Sequence, residues 1–539
     1  MRRLAFLLAL LLPLSALAQT AEPSRVPSTY RQSAAVLAHY PAVPDVILDS
    51  PGFRDPQQPT LTSQEAMLDF LRGLARESHR MVLGSIGRST EGREIPILYF
   101  TAEGLSDPVA IRQLGRPIIW LIGQQHGNEP AGGEAMLALA SLLAKGRLAP
   151  ILARITVVIV PRLNVDGAAA DRRTLASGAD SNRDHLLLSQ PEVRELHQAM
   201  QALSPDVIFD HHEFSVAWRW MEKFKGLQAS DVMILEATNP SIPKALTDIA
   251  RGLYRPALEQ AMQRHGLSSF DYVTTEARLA DRRVSLGGTA PGIARNTFGL
   301  RGSVSYLIET RGVGIGLQSY QRRVATHLLL AEAVLEVSAA DPDALLGRLA
   351  GARAAAAEAR GDLIVTHQEG ERDVDLPLID AESGAPKPTT VRLIDSRDIR
   401  PVDVRSRPLG YLVLRGAKDV AGRLALNDVG ACEVATAGRV AVEAYDVTRT
   451  ETTRSREAIN PDQSVRVTLR SKTLDVPSGT LFVPMAQHAA GIVAAALEPD
   501  SPGSYVGVGV IPMAAGETEA PVYRVPMGTK LPLKPCEAR

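Results

Sequence analysis

Four largely apolar runs, Ile118–Ile122, Ile155–Val160, Val207–Phe209 and Val304–Ile308, limit what this chain can fold into. A strand with no polar alternation has no face for water, so each belongs in a sheet covered on both sides. Helical stretches lie between several of them, and that alternation is the pattern of an α/β domain. The expected fold is a mixed, largely parallel sheet with helices on both faces. Upstream, Thr60–Ser78 carries Met67, Leu68, Leu71 and Leu74 at helical spacing, and Met81–Phe100 reads as a hairpin around a Gly-rich turn. Open α/β sheets place ligands beyond their C-terminal strand edge. The polar clusters of this sequence begin there.

At 539 residues the chain exceeds one ordinary domain. An Ala-rich stretch, Leu345–Leu363, predicts a helix closing the first unit. From about Ile364, short runs such as VRVTLR, GTLFVPM and YVGVGVI alternate with Gly, Pro, Asp and Ser, which suggests a smaller β-rich domain. At the other end Arg2 and Arg3 precede an apolar run, Leu4–Leu14, and Ala16 and Ala18 follow as an A-x-A pattern. That reads as a cleaved secretory signal rather than an uncleaved anchor, since it is shorter than the roughly 20 residues of a spanning helix, and the expected location is secreted or periplasmic. The expected division is a signal peptide at 1–18, a leader at 19–58, a catalytic domain at 59–345, a helical connector at 346–363 and a β-rich accessory domain at 364–539.

Charge excludes some partners. Lys and Arg total 59 against 60 Asp and Glu with no long single-sign block, so there is no footprint for nucleic acid or an anionic membrane surface. Cys432 and Cys536 are the two cysteines; in an oxidising compartment they either pair or stay as separate buried thiols.

The chemistry starts at LIGQQHGNEPAGGEA, where His126 and Glu129 stand three apart between an apolar run and a helix start. His-x-x-Glu alone fits a polar loop as well as a metal site. A second cluster, DHHE, supplies Asp210, His211, His212 and Glu213 after an apolar run; successive strand side chains face opposite ways, so one histidine only can share a centre with His126. A catalytic zinc takes three protein ligands and keeps a fourth position for water, which a His₂Glu set would satisfy. A third cluster, Pro161–His185, offers Arg172, Arg173 and Arg183 as cations suited to carboxylates. In a fourth, Glu309 ends an apolar run, either as a general base or as an ion-pair partner of Arg311.

Taken in order, His-x-x-Glu, Asn-x-Asp-Gly followed by Arg and Asp-x-Asn-Arg, Asp-x-His, and an apolar run ending in Glu resemble the zinc metallocarboxypeptidases of the carboxypeptidase A type. The resemblance covers about Ser63 to Leu335 and includes GRSTEGREI, similar to that family's early hairpin. It implies one zinc ion held by His126, Glu129 and His212, with Glu309 as general base. Asp180 would orient a zinc histidine from outside, and Asp210 sets the spacing that selects His212 over His211. Asn182 and Arg183 would hold the terminal carboxylate of a peptide substrate, and Arg172 or Arg173 would stabilise the oxyanion. The implied activity is hydrolysis of the C-terminal peptide bond by a zinc-activated water. Related zinc folds also imply an alternative substrate class, peptidoglycan stem peptides or N-acyl amino acids, and a third reading is an inactive protein that binds chain ends.

The sequence departs from the family at DRRVSLGGTAPG, Asp281–Gly292, where arginine or valine stands in place of a mobile tyrosine; Tyr272 is a possible substitute. The same region holds Arg278, Arg282, Arg283, Arg295 and Arg301. Those arginines read either as ion-paired surface or as a pocket for an acidic side chain, with Arg295 in a substrate-binding role.

Overall fold

The structure, a computed structural model, describes residues 29–276, 278–453 and 462–536; the expected signal peptide lies outside them. Eight strands form the central sheet: β1 (Met81–Arg88), β2 (Glu94–Phe100), β3 (Ile118–Gly123), β4 (Thr156–Val160), β5 (Val207–Ser215), then Val232–Glu236, Ser269–Asp271 and Val304–Val313. Their lateral order is β1, β2, β4, β3, β5, Val304–Val313, Val232–Glu236, Ser269–Asp271. The four middle strands run parallel, and β2 and Val232–Glu236 flank them antiparallel.

The largely apolar runs are buried as their composition requires. Ile119 and Leu121 of β3 join the core that holds the helix Pro130–Ala144, while Ile118, Trp120 and Ile122 join another with Leu196 and Met200 of the helix Pro191–Ala202. The fold is thus a mixed, largely parallel sheet with helices on both faces. Every residue of Pro130–Ala144 after the proline is buried, which suits a helix apolar on all sides.

Residues 29–58 are packed onto this body. Val36 and Tyr40 share a core with Phe214 and Trp220, and the Phe53 ring stacks on Tyr320 at 5.4 Å between centroids. The helix of the Ala-rich stretch runs Pro342–Glu358, starting earlier and ending sooner than its composition suggested: Asp341 caps it by accepting from Ala344 N, Pro342 opens it, and the next strand begins at Leu363.

The C-terminal part holds two more sheets. The long strands Leu363–Leu376 and Thr389–Arg405 extend through Val284–Ser285 to Thr274–Thr275, so their sheet also contains strands from before Glu309. A six-stranded sheet takes the order Cys432–Glu433, Leu481–Pro484, Gly410–Val413, Glu519–Val525, Gly438–Thr453, Asp462–Val476. VRVTLR and LFVP lie in its strands, but YVGVGVI does not. Residues 505–511 form turns, with Ile511 N donating to Tyr505 O at 2.8 Å and Gly509 at φ 78°, because glycines break the strand while Tyr505, Val506 and Ile511 are buried in the core. Cys432 and Cys536 are joined as a disulfide.

Candidate metal centre

Two loops fix the start of the site. β3 ends at Gly123, Gln124 takes the left-handed φ of 47°, and the chain turns so that His126 and Glu129 face inward before Pro130 opens its helix. Gly127 sits against the next loop: a Cβ on it would lie 2.0 Å from the carbonyl carbon of Gly167. That contact explains why His-Gly-Asn-Glu and Asn-Val-Asp-Gly occur together. Asn164 Oδ1 accepts from Gly167 N at 2.8 Å, and its Nδ2 donates to Arg173 O at 3.1 Å, so the second motif holds the arginine loop. Asp166 in turn accepts from Ser89 Oγ (2.7 Å), Glu91 N (2.9 Å) and Arg93 Nη1 (2.7 Å), which docks the GRSTEGREI hairpin.

Strand geometry supplies the rest. On β5 the alternation puts Asp210 and His212 on one side, and His212 Nε2 lies 2.7 Å from Asp210 Oδ2. His211 faces the other way and meets His327, Nδ1 to Nδ1 at 3.0 Å. In the parallel pairing of Val304–Val313 with β5, Glu309 stands directly opposite His212. Register alone therefore brings the proposed base to the proposed ligand.

His126, Glu129 and His212 converge, with ligand atoms all within 4.8 Å of one another. His126 Nδ1 is 2.9 Å from Glu129 Oε1, His212 Nδ1 is 2.8 Å from Glu129 Oε2, and the two Nδ1 atoms are 3.0 Å apart. The opposite ring nitrogens are committed to carboxylates, His126 Nε2 to Asp180 Oδ1 at 3.0 Å and His212 Nε2 to Asp210 Oδ2. An Nε2–H pointed at a carboxylate leaves Nδ1 as the ligating nitrogen. Two such nitrogens and a carboxylate aimed at one point need positive charge among them. Within the chain a proton on His212 and the Arg173 guanidinium supply it, and the donor set fits zinc equally well.

The electrostatics follow from this crowding. Burial pushes the Glu129 carboxyl up, but the charges and hydrogen bonds of His126 and His212 outweigh it and hold it well below the usual carboxylate range. Burial would lower His212, yet Asp210 and Glu129 hold its imidazolium well above the ordinary histidine value. Glu309 moves the other way: burial first, then the negative charge of Glu129, raises it to about 8. Its Oε2 is buried without a hydrogen-bond partner among the described residues.

Arg173 and Arg172 part company. Arg173 Nη1 lies 3.1 Å from His126 Nδ1 and 3.3 Å from Glu129 Oε1, and its Nη2 donates to Asp180 Oδ2 at 2.7 Å. Arg172 makes none of these contacts: its Nη2 lies 3.8 Å from Glu91, and its Nε and Nη2 are buried without a hydrogen-bond partner among the described residues. Asp180 caps the short helix Ser181–Arg183 and accepts from Asn182 N at 2.8 Å, while Asn182 Oδ1 accepts from Ala294 N at 2.9 Å. Arg183 is exposed at the end of that turn. Arg311 leaves Glu309 alone: it stacks over Tyr40 at 3.5 Å and donates to Gln32 Oε1 and Gln228 O. Glu134 is a helix residue that accepts from Gly52 N at 2.8 Å.

Of the downstream arginines, Arg283 pairs with Asp281, Arg282 lies over Phe224, and Arg301 pairs with Asp428 at 2.6 Å. Arg295 instead points inward, within electrostatic reach of Tyr272, Arg183 and Glu309. Tyr272 is half-buried near the site, where desolvation and the Glu309 charge raise its phenol. Sequence reasoning passed over one further chain of contacts: Gln125 Nε2 donates to Asp210 Oδ2 (2.7 Å), Gln125 Oε1 meets His185 Nε2 (2.7 Å), and His185 Nδ1 meets His197 Nε2 (3.0 Å). The available signal was that Gln125 adjoins His126 and His185 closes the Asp-x-Asn-Arg segment.

Residues 67–230 match the zinc carboxypeptidase family, a span that holds His126, Glu129, Asp180–Arg183 and His212 and ends before Glu309. Carboxypeptidase 2 of Trichophyton rubrum is 29% identical over 92% of this chain and 94% of its own length. Human carboxypeptidase D is 34% identical over 22% of this chain and 10% of its own. A solved metallo-carboxypeptidase from Burkholderia cenocepacia is 20% identical, with a TM-score of 0.38 over 51% of this chain and 68% of that one. Residues 67–230 are thus similar to the zinc carboxypeptidases, and the likeness to carboxypeptidases along the chain supports a metallocarboxypeptidase.

Proposed function

We propose that this chain removes C-terminal residues from peptides, with His126, Glu129 and His212 binding one zinc ion. The observation that carries the reading is the convergence of those three groups beside Glu309, a buried carboxyl placed by strand register with no partner on one oxygen among the described residues. Zinc held there supplies Lewis acidity, polarising the scissile carbonyl and bringing the pKa of a water towards about 7. Glu309 takes the proton of the attacking water and passes it to the leaving amine, two transfers for which a carboxyl group titrating near neutrality is suited. Arg173, already fixed by Asp180, faces the negative charge that develops on the carbonyl oxygen. Asn182 and the exposed Arg183 hold the terminal carboxylate, which makes the cut end-selective. Asp180 and Asp210 orient the two histidines.

Residues 59–345 form the catalytic domain in this reading, and 364–539 the accessory one. The Cys432–Cys536 disulfide supports a secreted or periplasmic location. Among the described residues no helix is long and apolar enough to cross a membrane. The test is a peptide-library digest read by mass spectrometry, with zinc, with a chelator, and with Glu309→Gln. Expected are single-residue losses from the C-terminus that vanish with the chelator and fall by about 100-fold or more in the variant, at one zinc per chain. Turnover unchanged in Glu309→Gln would remove that residue from its role, and internal cleavage would remove Arg183 from its own.

A further inference from the structure

Arg295 is a buried cation with no ion-pair partner among the described residues. It is 2% exposed, at the start of the helix Ala294–Leu300. Its Nη2 donates to two backbone carbonyls, Gly287 O at 2.7 Å and Gly288 O at 2.5 Å, which fix the guanidinium but bring no charge. Its Nε is buried with no hydrogen-bond partner, and no carboxylate among the described residues lies within salt-bridge distance of it. Three acids, Glu236, Glu309 and Glu369, are within electrostatic reach without pairing with it, and Glu236 is taken by Arg251 and Arg397 at 2.7 and 2.9 Å. The positive charge of Arg183 makes matters worse, and burial with that repulsion lowers Arg295 to about 10. Leaving a guanidinium so buried is costly unless a charge reaches it.

The position says where that charge comes from. Arg295 follows Ala294, whose N–H is bound by Asn182, the residue placed beside Arg183 at the terminal carboxylate. Tyr272 is within electrostatic reach of Arg183, Arg295 and Glu309 together. We propose that Arg295 is a specificity-determining residue that binds the side-chain carboxylate of a C-terminal glutamate or aspartate while Arg183 holds the terminal carboxylate of the same residue. This rests on the carboxypeptidase reading and adds the substrate class: peptides ending in an acidic residue.

The test uses the zinc-loaded full-length protein and N-acylated dipeptides that differ only in the C-terminal residue. Glu should exceed its neutral isostere Gln by about 100-fold in kcat/KM, because the charge-assisted bond to Arg295 is lost and its guanidinium stays unpaired. Arg295→Met should lower the Glu to Leu ratio by a similar factor. If Arg295→Met does not fold, calorimetric binding to the wild-type protein decides instead: glutarate should bind at least about tenfold more tightly than butyrate. Gln cleaved as well as Glu, a Glu to Leu ratio that survives the substitution, or equal binding of the two acids would overturn the proposal while leaving the carboxypeptidase reading intact. Equal losses for every substrate would mean that Arg295 serves the terminal carboxylate, which also overturns it. Release of no C-terminal residue from any substrate would sink both.

Discussion

Asp210→Asn changes one charge and almost no shape, so it asks whether zinc affinity depends on the carboxylate behind His212. Asp210 is 1% exposed, and its Oδ2 takes two hydrogen bonds at 2.7 Å, from His212 Nε2 and from Gln125 Nε2. Both are donors: Gln125 has its own Oε1 committed to His185. An asparagine must therefore turn its carbonyl to this side, keeping the His212 tautomer but replacing a charge-assisted bond by a neutral one. The difference between those bonds is about 1–1.5 kcal/mol, or roughly tenfold in zinc affinity. The other side of the amide costs more. Asp210 Oδ1 is buried without a partner among the described residues, so the new NH₂ would be an unsatisfied donor, destabilising the fold by about 1–3 kcal/mol. Competition with a chromophoric chelator at pH 7 measures the first quantity, and denaturant unfolding of chelator-stripped protein the second. A zinc Kd within twofold of wild type would refute the claim that Asp210 acts through His212.

Zinc binding should release protons. In chelator-stripped protein at pH 7, His212 is held above the ordinary histidine value by Asp210 and Glu129, and Glu309 titrates near 8, so both carry protons that a dication displaces. Apparent zinc affinity should thus rise from pH 6 to pH 8, and calorimetry in buffers of different ionisation enthalpy should count close to two protons per zinc, about one fewer in Glu309→Gln; a pH-independent Kd would contradict this. Arg183→Ala should abolish the preference for a free C-terminal carboxylate over an amide, lowering kcat/KM on free-acid peptides by about 100-fold. Gly127→Ala should destabilise the protein by several kcal/mol, since its Cβ would fall 2.0 Å from the Gly167 carbonyl carbon, and a melting temperature within a degree of wild type would show that the two loops yield easily.

What could be read without coordinates was whatever a fixed period carries. Alternation along a strand is strict, so Asp210 and His212 had to share a side and His211 had to leave it, and four apolar runs had to be buried in a two-faced sheet. Loops have no such period. Nothing in the adjacent Arg172 and Arg173 says which turns inward; the choice is made by Asn164 Nδ2 on Arg173 O and by Asp180, which sit nine and seven residues away. Glycine defeated the pattern from the other direction, because YVGVGVI has the composition of a strand but folds as buried turns. The outer contacts were harder still: Gln125 and His185 meet across 60 residues, and Tyr272 reaches the site from the end of the strand Ser269–Asp271. Such pairings depend on how sheet order brings distant strand ends together, with Val304–Val313 inserted between β5 and Val232–Glu236 although it follows both in sequence. The motif residues lie within the apolar strands or in the loops just beyond them, where the sequence marks them; the contacts around them, such as Gln125 with His185, carry no such mark.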